Sequence, residues 1–389
     1  MKTELELSLV RGDVLFRLQR AVGLIPPDGF GYVRRALVFA LVAWLPIAVW
    51  ATLTGRALSG MVNEPLLQHF GVHVRCLVAI PLFVIAEGVA HSVTTRLVPH
   101  FLRSGLVPEA ERGRFSEIVG GVVRLRDAFH PWVIIAGIVV ASSITAPVTQ
   151  DMHELVWADE GADPTRRLGF GGMWFLYVAR PMFLALWLAW LWRVILAFVL
   201  FKRIARLELA IVPTHPDRLG GLGFLEGMPA AFSLVVLALS SVLASRWAHE
   251  ILYHAATLKS LQLPAAAFLV AVAVLFLAPL LAFARPLRAA RKRALLDYGA
   301  LVGEHGRRVR KRWILKEPVQ DEELLSAPEI GPVADTIALY EAVANMRTLP
   351  IGRRALLAVL VPAVLPMIAV AALQVPIKDL LLGLLKVLA

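Results

Sequence analysis

Between Trp174 and Gly227 a long apolar segment carrying two arginines, Arg180 and Arg193, runs straight into Thr214-His215-Pro216-Asp217-Arg218-Leu219-Gly220-Gly221-Leu222-Gly223-Phe224. That loop suits two chemistries. His215 and Asp217 could act as an acid–base couple with Arg218 as the charge partner, or the glycine N–H groups could form a nest for an anion. The glycine spacing matches neither the dinucleotide fingerprint nor the phosphate loop. The competing reading is structural: Asp217 caps a tight turn, the glycines admit close packing, and Leu222, Phe224 and Leu225 dip into an apolar edge.

A second set of candidates lies inside the hydrophobic segments, where charge is costly and marks function or a buried pair. Glu87 and His91 stand one helical turn apart in an apolar run. Counted from the ends of their runs, Glu87 and Arg193 both lie about 10 to 12 Å deep. Matched depth and opposite sign predict that they pair, with His91 within reach. The pair serves either to fix helix packing or to line a solute or proton path. Arg180 falls at the opposite end of its run, about 20 Å and roughly 140° from Arg193, level with Ser142 and Ser143. It reads as an anion contact in an outer cavity, or as a buried arginine bonded to serines and helix carbonyls.

The elements that must position these residues are membrane spans. The chain has 389 residues, is 58% hydrophobic and has a mean hydropathy of +0.70, outside the usual composition of a soluble domain. Against a hydrocarbon core of roughly 30 Å, its apolar runs predict an all-α polytopic bundle of seven spans, near 36–54, 76–94, 131–147, 173–201, 229–245, 264–283 and 355–373. Thirty of the forty Lys and Arg residues fall on the side of the N-terminus and eight on the other. The positive-inside rule then places the N-terminus in the cytoplasm and the C-terminus outside. The net charge of +11 is thus largely a topology signal and implies no nucleic-acid partner. The single cysteine, Cys76, excludes an intramolecular disulfide.

The spans divide the chain into an interfacial segment 1–35, a six-span region 36–283 that includes the loop 213–227, a basic segment 284–354, and a seventh span with its tail, 355–389. In the first, Arg11, Arg17 and Arg20 among apolar residues suit an amphipathic helix on the inner surface or packed on the inner loops. In the third, a basic helix continues the sixth span toward anionic headgroups, Asp321-Glu322-Glu323 interrupts it, and a second helix follows near 332–347. Ile377 to Ala389 is too short to cross. No internal repeat is evident.

The sequence points to no cofactor. One cluster has metal-ligating residue types: His69, His73, His249 and His254 on the expected outer side, with Glu64, Glu154 and Glu250 to complete it. Three separate segments must converge for it to form. His215-Pro216-Asp217 is similar to the tripeptide of J-domain co-chaperones, but there it joins two soluble helices, and here it sits between two spans. More broadly, Arg180-Pro181, Trp190-Leu191-Trp192-Arg193, Arg206-Leu207-Glu208-Leu209, Pro213 to Arg218 and Gly220 to Leu225, with Leu15-Phe16-Arg17 and Gly23 to Pro26 near the start, resemble a family of uncharacterised multi-pass proteins of Gram-negative bacteria. The resemblance implies an inner-membrane setting and no activity.

These residues lead to an expected homo-oligomeric channel or transporter for a small, anionic solute, with Glu87, His91, Arg193, Arg180, Ser142 and Ser143 along the path. The alternatives are a membrane-embedded enzyme acting on a phosphate-bearing lipid through His215, Asp217 and Arg218, and a sensor or scaffold that binds a partner through the basic segment.

Overall fold

The computed structural model describes residues 7–26, 29–58, 64–149, 152–159, 168–318 and 331–374. Seven helical stretches among them are long and apolar enough to cross a membrane: Tyr32–Leu53, Phe70–Arg103, Glu109–Thr145, Phe170–Ile204, Gly223–Tyr253, Leu258–Ile314 and Arg353–Ala371. The protein is an all-α polytopic bundle, and each predicted span falls on one of these helices. Contacts between loops show that the chain alternates between two ends. At the end bearing the N-terminal segment, Ala210 N–H donates to the Leu106 carbonyl and Arg347 N–H to that of Arg218. At the opposite end, Arg56 donates to the Asp159 carbonyl, and the His249 ring meets the Gln68 carbonyl at 3.0 Å.

The first span shows how these sequences pack. Ala36, Ala40, Ala43, Ile47 and Ala51 are buried, while Leu37, Leu41, Leu45 and Val49, at i, i+4 spacing, are exposed. Small residues let two helix backbones approach closely, and large aliphatic residues lose nothing by facing lipid. The buried alanines stack against the second span, whose Ala79, Ala86 and Ala90 are buried in turn. The second, fourth and fifth spans form the centre of the bundle, while the third packs on the fourth at the periphery.

The second and fourth spans share an irregularity. Each opens with a short α-helical stretch, Phe70–Val74 or Phe170–Trp174, widens into a π-helical turn at Arg75–Ala79 or Phe175–Ala179, and continues as α-helix from Ile80 or Arg180. Pro81 and Pro181 follow immediately. A proline has no N–H to donate, and its ring crowds the carbonyl four residues back, Leu77 or Tyr177, so the preceding turn widens. The two stretches also match in sequence at a spacing of 100: Phe70/Phe170, Gly71/Gly171, Val78/Val178, Ala79/Ala179, Pro81/Pro181 and Phe83/Phe183. These identities accompany the turn geometry that the two spans share. They are carried by turn-forming and packing residues rather than by charged ones.

The N-terminal segment is more deeply embedded than a surface helix. Val14–Ala21 is helical, capped by the Asp13 carboxylate, which accepts from Phe16 N–H at 2.7 Å. Phe16 and Gln19 are buried and Arg17 donates to the Asp127 carbonyl, so the helix docks on the bundle. The sixth span continues without a stop through a short 3-10 turn, Ala278–Phe283, into Ala284–Val309, and Gly331–Ala344 packs back on that extension. The acidic run 321–323 and the tail 377–389 lie outside the described residues.

Candidate functional site

The Glu87–Arg193 pair is present, within a larger buried network. Arg193 Nη2 donates to Glu87 Oε1 at 2.8 Å and to Asp13 Oδ2 at 2.9 Å. The second Glu87 oxygen accepts from Arg35, whose Nε donates to the Gln19 side chain. Asp13, Arg35, Glu87 and Arg193 are each at most 1% exposed, so two carboxylates and two guanidiniums form a neutral quartet in the half of the bundle nearer the N-terminus. Arg193 also lies over the Trp190 ring, 4.7 Å from its centroid, where the π face adds to the compensation of its charge. His91 packs its ring on Phe30 at 4.6 Å.

Asp13 and Arg35 were missed by sequence reasoning. Arg35 sits at the mouth of the first span, where it reads as one more basic flanking residue. Asp13 carried a legible signal as an N-cap, but nothing local indicates that its second oxygen reaches a residue 180 positions away.

The His-Pro-Asp loop is organised around Asp217. Its Oδ1 accepts from Leu219 N–H at 2.7 Å and Gly221 N–H at 3.2 Å, and its Oδ2 from Gly223 N–H at 2.8 Å. The nest of backbone donors thus already holds an anion, supplied by the chain. His215 Nδ1 stands 2.9 Å from Asp217 Oδ1. Burial raises the Asp217 pKa, but the three backbone donors and His215 outweigh it and hold the carboxyl below its usual value. Arg218, Gly220 and Gly221 all have positive φ. A Cβ on Gly220 would fall on the Ile211 side chain, so glycine is required there for space as well as for backbone conformation.

At the opposite end two chambers open between the spans. The outer, of about 310 Å³, is lined by His69, Glu154, Arg246, His249, Glu250 and His254. The inner, of about 420 Å³, shares Gly71, Glu154 and Arg246 with it and adds Arg75 and an apolar wall that includes Phe183, Trp187, Leu239 and Phe268. Each is of the size of a small-molecule site. Arg246 bonds Glu250 at 3.0 Å, and Arg75 faces Glu154 at 3.5 Å while its guanidinium lies against Phe175 and Phe183. Arg75 escaped sequence reasoning because it reads as a loop residue; the π-helical turn that begins with it brings it into the cavity. Below the chambers the aromatic rings continue. Phe183 meets Phe83 at 5.5 Å, the Trp190 indole N–H donates to the Phe83 carbonyl, and Trp190 carries Arg193.

The histidines meet only in part. Glu64, His69 and His249 converge, with one ligand-type atom from each lying within 4.8 Å of the others. The His69 and His249 rings stack at 5.1 Å, and His254 Nε2 is 3.3 Å from His249 Nε2. Burial first, and then the neighbouring His249, push the His69 pKa down to about 4, so this imidazole is neutral at pH 7. His73 is engaged elsewhere, accepting from the Trp44 indole at 2.8 Å and meeting the Leu66 carbonyl at 3.0 Å.

Arg180 is half-buried at the end of the second π-helical turn and does not line either chamber. Ser143 donates back to the Val139 carbonyl of its own helix, and Ser142 is half-buried beside it. Glu87 and Arg193 thus belong to the quartet, while Arg180, Ser142 and Ser143 lie outside the two chambers. In comparisons with known proteins, no family model, no curated protein and no solved structure matches the chain.

Proposed function

We propose that the protein is a carrier for a small amphipathic solute, which enters from the end opposite the N-terminus and is held between the second, fourth, fifth and sixth spans. The observation that carries this reading is that the two chambers adjoin, sharing Gly71, Glu154 and Arg246 in their linings. The outer chamber, with the Arg246–Glu250 pair, adjoins one that adds Arg75 and is walled by Phe183, Trp187, Leu239 and Phe268. Such a cavity recognises a molecule with a charged head and an apolar body.

Because Arg246 is paired with Glu250 and Arg75 with Glu154, a dipolar or zwitterionic head fits better than the bare anion expected from the sequence. A carrier is favoured over a channel by the half of the bundle nearer the N-terminus. There Phe83, Trp190 and Phe232 are fully buried and the charges of Glu87 and Arg193 neutralise each other. The excess of basic residues on the N-terminal side supports a cytoplasmic N-terminus, and a bacterial inner membrane is the setting proposed for it. Saturation of Asp217 by backbone donors favours a structural role for the loop over lipid chemistry at His215, Asp217 and Arg218.

Reconstitution tests the carrier. A small single-chain zwitterionic amphiphile bearing a fluorophore is placed on both sides of the membrane of vesicles containing the protein, and a membrane-impermeant reductant bleaches the outer population. Facilitated passage bleaches the inner pool as well, and Arg246→Ala or Trp187→Ala slows this about tenfold. Bleaching no faster than in protein-free vesicles overturns the reading.

A further inference from the structure

We propose that Glu64, His69 and His249 form a binding site for one divalent metal ion of the zinc class at the rim of the outer chamber. Glu64 Oε2 lies 3.7 Å from His69 Nε2 and 3.8 Å from His249 Nε2. These separations are too long for hydrogen bonds and close to the edge of a tetrahedron about a zinc ion, about 3.4 Å for ligand bonds of roughly 2.1 Å. The three groups thus surround a point without bonding one another.

A second observation points into the same space. Glu64 Oε2 and His69 Nε2 are buried without a hydrogen-bond partner, and His69 as a whole is only 5% exposed. A buried acceptor left unmatched costs about 1 to 3 kcal/mol, and a metal ion would satisfy both atoms at once. The supporting shell is in place as well. His249 Nδ1 meets the Gln68 carbonyl at 3.0 Å, which assigns the proton to Nδ1 and leaves Nε2 a lone pair. That lone pair lies between Glu64 Oε2 at 3.8 Å and His254 Nε2 at 3.3 Å, so metal binding would displace the His254 contact. A backbone carbonyl on Nδ1 is the usual arrangement behind a metal-bound imidazole.

Two imidazoles and one carboxylate suit zinc better than magnesium or calcium, which take oxygen ligands. Both histidines line the outer chamber, so the remaining coordination position faces the cavity beside His254. Three protein ligands with one open position is the pattern of a metal that binds water or an exogenous ligand. The ion would also tie the segment before the second span to the last turns of the fifth.

Cobalt(II), which takes zinc sites and reports tetrahedral geometry by its visible absorption, provides the test. The full-length protein is purified in detergent, stripped with a chelator and titrated with cobalt(II), then with zinc(II) in competition. One cobalt per chain with intense tetrahedral bands, displaced by zinc, is expected. Glu64→Gln, which preserves shape, and His69→Ala should each weaken binding by at least about tenfold and abolish the bands. His215→Ala, at the other end of the bundle, should leave titration and spectrum unchanged. Trp187→Ala, which impairs the proposed carrier, should also leave the metal in place, so the two proposals fail separately. Absence of stoichiometric binding, or binding with an unchanged spectrum in folded Glu64→Gln, overturns the site.

Discussion

Arg193 donates through a single nitrogen, Nη2, to Asp13 at 2.9 Å and to Glu87 at 2.8 Å, joining the N-terminal helix to the second and fourth spans at one atom. Removing one member of a buried ion pair leaves its partners charged and uncompensated, which costs about 3 to 5 kcal/mol. Arg193→Ala is expected to lower the unfolding midpoint in detergent sharply. Arg193→Met combined with Asp13→Asn should recover much of the loss, because the remaining buried charges, Arg35 and Glu87, neutralise each other. Equal stability of Arg193→Ala and wild type would refute this account of the quartet.

Asp217 organises its loop through three backbone donors, so Asp217→Ala should cost about 1 to 3 kcal/mol. Asn retains one oxygen acceptor but offers N–H donors where Gly223 N–H needs an acceptor, so Asp217→Asn should fall between Ala and wild type. The sign of the pH dependence follows from the depressed carboxyl. Its contribution to stability is complete above the ordinary value of 3.8 and is lost as pH falls below that, through the lower folded value. Thermal unfolding followed from pH 7 to pH 3 should show an acid-side loss in wild type that Asp217→Ala lacks.

Gly220→Ala should destabilise the same loop by another route. Its φ of 64° disfavours any residue with a Cβ, and the added carbon meets Ile211. A loss of at least about 1 kcal/mol is expected, read as a lowered unfolding midpoint. Gly227→Ala, where nothing lies within 4 Å of the added carbon, serves as the control and should show little change.

Ser240, in the fifth span, donates to the Ala363 carbonyl of the seventh. Inter-helix hydrogen bonds in membranes contribute only about 0.6 kcal/mol on average. Ser240→Ala should therefore shift the unfolding midpoint far less than Arg193→Ala. A loss comparable to that of the arginine would mean that the seventh span is held mainly by this bond rather than by packing.

The parts legible in the sequence were those set by length and sign. Seven runs of apolar residues, and the matched depths of Glu87 and Arg193, depend only on the rise of a helix and the thickness of a bilayer. Asp13, Arg35 and Arg75 were not legible because their partners are chosen by tertiary packing. Asp13 and Arg193 are 180 residues apart, and Arg75 is redirected by a π-helical turn that shifts helical phase. Of the outer histidines, the residue types were readable, but only the folded loops select His69 and His249 over His73.

The second and fourth spans share a π-helical turn before a proline but carry their polar groups at different positions. At positions 100 residues apart, a polar or charged group on one span corresponds to an apolar residue in the other's sequence: His73 against Met173, Arg75 against Phe175, Ile80 against Arg180, Glu87 against Trp187, His91 against Leu191 and Val93 against Arg193. The proline and the π-helical turn before it shape both helices alike, while one acid of the quartet, Glu87, lies on the second span and one base, Arg193, on the fourth. Asp13 and Arg35, from the N-terminal helix and the first span, complete the balance, so four separate segments of the chain must assemble before all the buried charges are compensated.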